Sequence, residues 1–306
     1  MEGIMDNVIQ LHPTPLERKD YFSDESNLYF KVWERPVYFS GDHGRMYENP
    51  NYKAIVRVND NNNPIQIGMV GRNYKVIPMK DICFEVENDL CSVIDKEHLE
   101  EVRVYDNVSY NGGMLIRQYI FPTIKEEIEN PMGRDELGFR IIIITAYDGS
   151  TSFKLYSGAI NFFCTNGMVD GQFDMMVKRH TSGLRIPKMT DRIKRSIEIF
   201  HTRADTFRQW VGKTITDEDA EEVFKALPNV SERRVEQLLN QFRIESLRYG
   251  RTVWALYNAA TYYSSHNDGD FAIRKTGNDN EAATLMHRER QIRSWERTDA
   301  FQQLVA

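Results

Sequence analysis

The hydrophobic period of this chain changes once, at Pro187. Before that point apolar residues alternate or form short β-branched runs. After it they recur every third or fourth position. A strand returns to one face every second residue and a helix every three or four, so the two halves are built from different elements. The expected fold class is α+β, with a mixed or antiparallel sheet in the N-terminal half followed by a helical C-terminal half. Helices do not alternate with strands, which argues against a doubly wound parallel sheet.

The strand signals are Tyr52–Val58, Gln66–Val70, Tyr74–Pro78, Leu99–Tyr105, Met114–Phe121, Phe139–Tyr147 and Thr151–Phe163. Gly71-Arg72-Asn73 and Asp148-Gly149-Ser150 have turn chemistry between them. One helix interrupts this half, with Ile82, Val86, Leu90 and Val93 at helical spacing over Met79–Ile94. Beyond Pro187, Ile193, Ile197, Phe200, Ala204, Phe207 and Val211 form one face of a helix over Met189–Gly212. Further helices are expected from Thr216 to Pro228, Ser231 to Gly250, Thr252 to Ser265 and Asn280 to Leu304. Residues 1–26, polar and with Pro13 and Pro15, read as a flexible lead-in. Residues 27–188 then form a β-rich domain, and 189–306 a helical region packed on or beside it.

With 41% hydrophobic residues, 16 Phe, 15 Tyr and 4 Trp, the chain can fill a large core. Three cysteines without a CxxC pair support neither a disulfide framework nor a zinc site. The N-terminus does not read as a secretory signal, and the longest apolar run, Ile141–Ile144, is too short to span a bilayer. The expected location is the cytoplasm of a host cell, with no membrane partner.

Charge is distributed unevenly. From Lys178 to Lys213 ten Lys and Arg face three acids, a balance of +7, while the remaining chain carries −13. Lys178, Arg179, His180, Arg185, Lys188, Arg192 and Arg195 form the candidate phosphate-binding stripe. The plain alternative is a solvated helix face, since charge runs usually are one. Arg72-Asn73-Tyr74-Lys75 and Arg117-Gln118-Tyr119 place aromatics beside cations on or near strands, so Arg72, Tyr74 and Tyr119 are the candidates for stacking on unpaired bases. Half-buried strand tyrosines are the ordinary reading of the same pattern.

No HxH, HExxH, GxGxxG, GxxxxGK[ST] or GxSxG pattern occurs, and nothing calls for a cofactor or a metal. Asp148 fits a turn. Glu85 and Glu87, two apart on a helix, point away from one another. Cys164 reads as a buried strand-end residue.

Several segments in order carry a resemblance: Gly71–Val76, Asn111–Met114, Tyr147–Thr151, Phe162–Met168 and Lys178–Thr181. Over about residues 50 to 265 the chain resembles the phage- and plasmid-borne domain-of-unknown-function family numbered 932. The resemblance implies an origin in a mobile element and an intracellular protein, with no established activity. Tyr147 stands where the family often has His in its His-Asp-Gly-Ser turn. Cys164, Asn166, Arg179, His180 and Thr181 match, as structural or binding positions. Genes of this kind often serve recombination, replication or repair.

The leading expectation is a nucleic-acid-binding protein for single-stranded DNA, binding or annealing strands without catalysis; a homo-oligomer is compatible with that reading. The alternatives are an interaction protein docking a host factor through the acidic helix at Asp217–Glu222, and a metal-dependent enzyme on nucleic acid using Asp148.

Overall fold

The computed structural model describes residues 16–59, 61–162, 167–168, 175–181, 186–266, 268–273 and 281–306. The architecture is α+β, with antiparallel sheets in the N-terminal half and most helices in the C-terminal half. β1 (Val32–Ser40), β2 (Met46–Val58) and β3 (Pro64–Gly71) form a three-stranded sheet in that order. After α1 (Met79–Val93) and α2 (Lys96–Glu100) comes a six-stranded sheet. Its members are β4 (Arg103–Ser109), β5 (Met114–Asn130), β6 (Gly133–Ala146), β7 (Phe153–Asn161), β8 (Gly167–Met168) and β9 (Met175–Lys178). They pair in sequence order to β8, and β9 also pairs β7. The helical half comprises α3 (Thr190–Gly212), α4 (Asp217–Lys225), α5 (Glu232–Tyr249), α6 (Val253–Ser265), α7 (Glu281–Trp295) and α8 (Asp299–Val305).

The β5–β6 ribbon is long because the alternation persists on both strands and Gly133, at φ +141°, closes the turn. Its register breaks between Phe121 and Lys125. Pro122, which has no N–H to give a ladder, sits in that break. Leu115, Tyr119, Phe121, Ile141, Ile143, Phe153 and Leu155 point to one side and join the main core with α1 and α3. Met114, Ile116, Ile142, Ile144 and Tyr156 form a smaller apolar cluster on the opposite side, with Ala283 of α7 packed on it. Cover on both faces explains why Ile141–Ile144 is an unbroken apolar run. The helical half belongs to the same main core. Phe207, Trp210, Trp254, Tyr257, Trp295 and Phe301 form a chain of ring contacts from α3 through α6 to α7 and α8. Each such contact adds about 0.5–1.5 kcal/mol beyond area burial.

Four expectations differ from the structure. Residues 16–26 are packed: Arg18 and Phe22 are buried, with Phe22 edge-on to Tyr119. Tyr74–Pro78 is not a strand, because its backbone leaves the sheet to reach His180. Leu99 lies in α2, and β4 starts only at Arg103. The last helix breaks after Trp295, where Thr298 caps a new one by accepting the Phe301 N–H. The polar stretch at Val32–Ser40 carries weak alternation and is nevertheless a strand.

Glu87 is 1% exposed and is the deepest acid of the main core's α1 side. Arg18 Nη1 donates to its Oε2 at 2.7 Å. Arg117 Nη1 and the Tyr119 hydroxyl donate to its Oε1 at 3.0 Å each. Arg117 also clamps Asp106 of β4 with two bonds of 2.7 and 2.8 Å. Burial raises the carboxyl's proton affinity and these donors oppose it. Breaking a buried pair strands the remaining charge. Arg117→Ala is therefore expected to cost about 3–5 kcal/mol in urea unfolding, and Glu87→Gln, which keeps an acceptor for the donors, clearly less. Equal losses would show that Arg117 acts by bulk alone.

Candidate nucleic-acid interface

The site is built where the two sheets meet. β3 ends at Gly71, and the Arg72 N–H donates to the Asn51 carbonyl at 2.8 Å, so the chain turns back over β2. The Tyr74 N–H closes the turn on the Gly71 carbonyl at 2.9 Å. Gly68 makes this docking feasible: a Cβ there would lie 2.6 Å from the Tyr147 carbonyl oxygen and 2.7 Å from the Asp148 Cα. From the other side, β9 is anchored to β7 through the Phe153 and Lys178 pairing.

The two segments are joined by a hydrogen-bonded pair. The Lys75 N–H donates to the His180 carbonyl at 3.2 Å, and His180 Nδ1 lies 3.2 Å from the Lys75 carbonyl. A carbonyl only accepts, so Nδ1 carries the proton. Nε2 is then the acceptor for the Thr145 hydroxyl at 3.3 Å. The Tyr74 ring stacks on the imidazole, with centroids 4.8 Å apart and planes at 11°. The Tyr74 hydroxyl donates to the Ala146 carbonyl at 2.6 Å. Burial raises the Tyr74 pKa, helped by the nearby Asp148 charge.

This pair gathers cations. Arg72, Lys75, Lys178 and Arg179 are all exposed and lie within three residues of it along the chain. Arg72 has one distant acidic neighbour, Glu48 at 3.9 Å. Tyr52 stands opposite Gly71 in the β2–β3 pairing and is 48% exposed. By strand alternation Trp33, Arg35, Tyr52 and Met69 share the solvent face of the three-stranded sheet.

Part of the basic segment Lys178–Lys213 is committed within the fold, first Arg203 and Arg208, which lie outside the expected stripe. Arg203 is buried against Glu296, and Arg208 bonds Glu126 and Asp205. Lys188 is exposed but lies beside Asp89 of α1, whose carboxylate also accepts the Met189 N–H at 2.7 Å. Arg192 is half-buried and already engaged within the chain. Arg195 is exposed. Arg185 lies outside the described residues, as do Cys164 and Asn166. Two candidates are corrected. Tyr119 is 0% exposed and spends its hydroxyl on Glu87, so it cannot stack on a base. His180 is 7% exposed and positions the site from beneath, rather than facing a phosphate. Lys75 and Tyr52 were missed as site residues. Lys75 stands in Arg72-Asn73-Tyr74-Lys75, and its exposure follows from the turn beside it.

The remaining chemistry is accounted for locally. Asp148 accepts the Ser150 N–H at 2.8 Å, as a turn Asp does. Burial pushes the Cys83 and Cys91 thiols up to about 12, so both are protonated at neutral pH. Among the described residues no three His, Cys, Asp or Glu side chains are grouped to hold a metal ion. None of the helices in the described residues is long and apolar enough to cross a membrane. The acidic helix α4 is internally engaged: Asp217 binds Arg243 and Arg251, Asp219 closes the capping box with Thr216, and Glu221 pairs Lys225.

The sequence pattern of the family described as Domain of unknown function (DUF932) matches residues 66–292. The chain belongs to this family. No curated protein and no solved structure matches it. The DUF932 segment runs from β3 to α7, so it contains Arg72, Lys75, Lys178 and Arg179, whereas Trp33 and Tyr52 precede it.

His180 gives the junction a pH dependence of known sign. Burial lowers its proton affinity, outweighing the Lys75 carbonyl that favours the charged ring. The unfolded chain, with an ordinary value of 6.5, takes up the proton first. The stability due to the neutral ring is thus complete above that value and is lost as pH falls below it. Urea midpoints at about pH 7.5 and about pH 5.5 should fall further for wild type than for His180→Asn. Equal falls would remove the imidazole from the account.

Proposed function

We propose that this protein binds nucleic acid, single-stranded DNA first, through the junction of its two sheets, and serves recombination or replication of a phage or plasmid. The observation that supports this reading is the Lys75–His180 bond pair, which joins the two segments that carry the exposed Arg72, Lys75, Lys178 and Arg179. Arg72, Lys178 and Arg179, beside a Lys75 that is already engaged within the chain, can meet a phosphate chain, because the field near a site depends on nearby charges rather than on the net −6. The solvent face bearing Trp33, Arg35, Tyr52 and Met69 continues from this junction through the Tyr52–Gly71 pairing. Aromatics on an open sheet stack on bases of any sequence, which favours a single strand over a duplex whose bases are already stacked. The mobile-element setting rests on the resemblance to phage- and plasmid-borne sequences.

Fluorescence anisotropy with a labelled oligonucleotide tests the proposal. Binding should weaken steeply with salt. Lys178→Glu/Arg179→Glu should weaken it at least about tenfold and flatten the log–log salt slope by about 1.4, two phosphate contacts on a single strand. Arg192→Glu/Arg195→Glu should do less, since Arg192 is already engaged. Absent or salt-independent binding, or an unaffected Lys178→Glu/Arg179→Glu protein, would overturn the proposal.

A further inference from the structure

The face of the six-stranded sheet turned away from α1 and α3 carries a cleft of about 690 Å³, roofed by α7 and the end of α6. Cross-strand pairing sets its floor. Arg103, Ile120, Arg140 and Gly158 lie in one row across β4, β5, β6 and β7, and Tyr105, Gln118, Ile142 and Tyr156 lie in the next. Ile116, Ile160, Phe162 and Leu285 supply further apolar wall. The volume falls within the range of small-molecule sites, and an apolar patch lies among charged and polar side chains that can orient a ligand.

Charge decides what the cleft takes. Arg140 is 3% exposed; its Nη1 donates to Gln118 Oε1 at 2.8 Å and its Nη2 to Glu289 Oε1 at 2.9 Å. Its buried Nε finds no acceptor among the described residues. Buried donors are almost always satisfied, so this one marks a floor short of acceptors. The lining carboxylates are each paired already: Glu289 with Arg140, Glu136 with Lys125 at 2.9 Å, and Asp106 with Arg117. Arg103 is exposed at the rim and has no ion pair with another described residue. Two strand spacings, about 10 Å, separate it from Arg140. After pairing, the lining is left with one cation, one orphan donor and an apolar patch of Ile120, Ile142 and Leu285 between sheet and helix.

We propose that this cleft binds a small organic anion with a flat aromatic body, its charged group at Arg103 and its ring between Ile120, Ile142 and Leu285. Nucleoside monophosphates and aromatic carboxylates share this chemistry. The site lies across the sheet from the Thr145–His180 contact of the junction proposed to bind a strand and stands independently of it.

Thermal shift and calorimetry with AMP, 1-naphthoate, adenosine and inorganic phosphate, each at about 1 mM, test it. AMP, 1-naphthoate or both should raise Tm and bind at least about tenfold more tightly than adenosine or phosphate. Response to AMP alone assigns the nucleotide source, and to naphthoate alone the carboxylate. Arg103→Glu and the cleft-filling Leu285→Trp should abolish the response, while Lys178→Glu/Arg179→Glu keeps it. Arg103 is exposed, so its variant decides should Leu285→Trp fail to fold. No shift with either ligand, a shift unchanged in Arg103→Glu, a shift lost in Lys178→Glu/Arg179→Glu, or equal binding of phosphate alone would overturn the proposal.

Discussion

A buried carboxylate organises this molecule. Glu87 sits on α1 beneath the six-stranded sheet and is reached by groups from 69 residues before it and 32 after it in sequence. Removing a charge from water is costly, and the cost is offset only while every donor stays in place. The Arg18, Arg117 and Tyr119 donors therefore fix the N-terminal segment, α1 and β5 relative to one another, and Arg117 extends the constraint to β4 through Asp106. Apolar packing of α3 against β5 and β7 is non-directional and so more tolerant of small shifts. The carboxylate is not, and it sets the register in which the softer contacts are made.

That arrangement places the two surfaces on which function is proposed. The junction proposed to bind a strand depends on Tyr74 and His180, which join the segments after β3 and β9. The cleft depends on the opposite face of β4 to β7, where Arg140 reaches up to α7. Both use cations whose neighbours are largely committed, and both show why a charge count along the chain is a weak guide. The +7 segment is real, but Arg203 and Arg208 spend their charge inside the fold. The exposed cations of the junction come from two separate stretches, Arg72–Lys75 and Lys178–Arg179, which the Lys75–His180 bonds join.

The α+β division was legible because the period change at Pro187 reflects burial directly. Helix α3 was legible in full, since Ile193 to Phe207 keeps one face. β1 was harder to read: its side chains are mostly exposed, so the apolar alternation that marks a strand is weak. Tyr74–Pro78 looked like a strand on composition, but its partners lie at Lys75–His180, a pairing of residues 105 apart that no local pattern records. Tyr119 and Tyr52 were indistinguishable in sequence; one is fully buried and the other half open because they belong to different sheets. Arg140 left a signal that could have been used, a lone charge within the apolar strand Phe139–Tyr147. The segment around Arg18 could not be foreseen as packed, because the partners that bury it, Glu87 and Phe84 for Arg18 and Tyr119 for Phe22, lie far along the chain.

The family segment starts at residue 66, inside β3. In this protein β3 receives its hydrogen bonds from β2, on residues 52 to 58. A chain trimmed to the shared segment would keep β3 and lose the strand that satisfies it, leaving a row of open N–H and C=O groups beside Ile67 and Val70, which are buried in the intact fold. Such an edge is a template for another strand. The same cut removes Arg18 and leaves the carboxylate beneath the sheet with one arginine in place of two. The residues ahead of the shared segment thus cover a margin that a fragment would leave open.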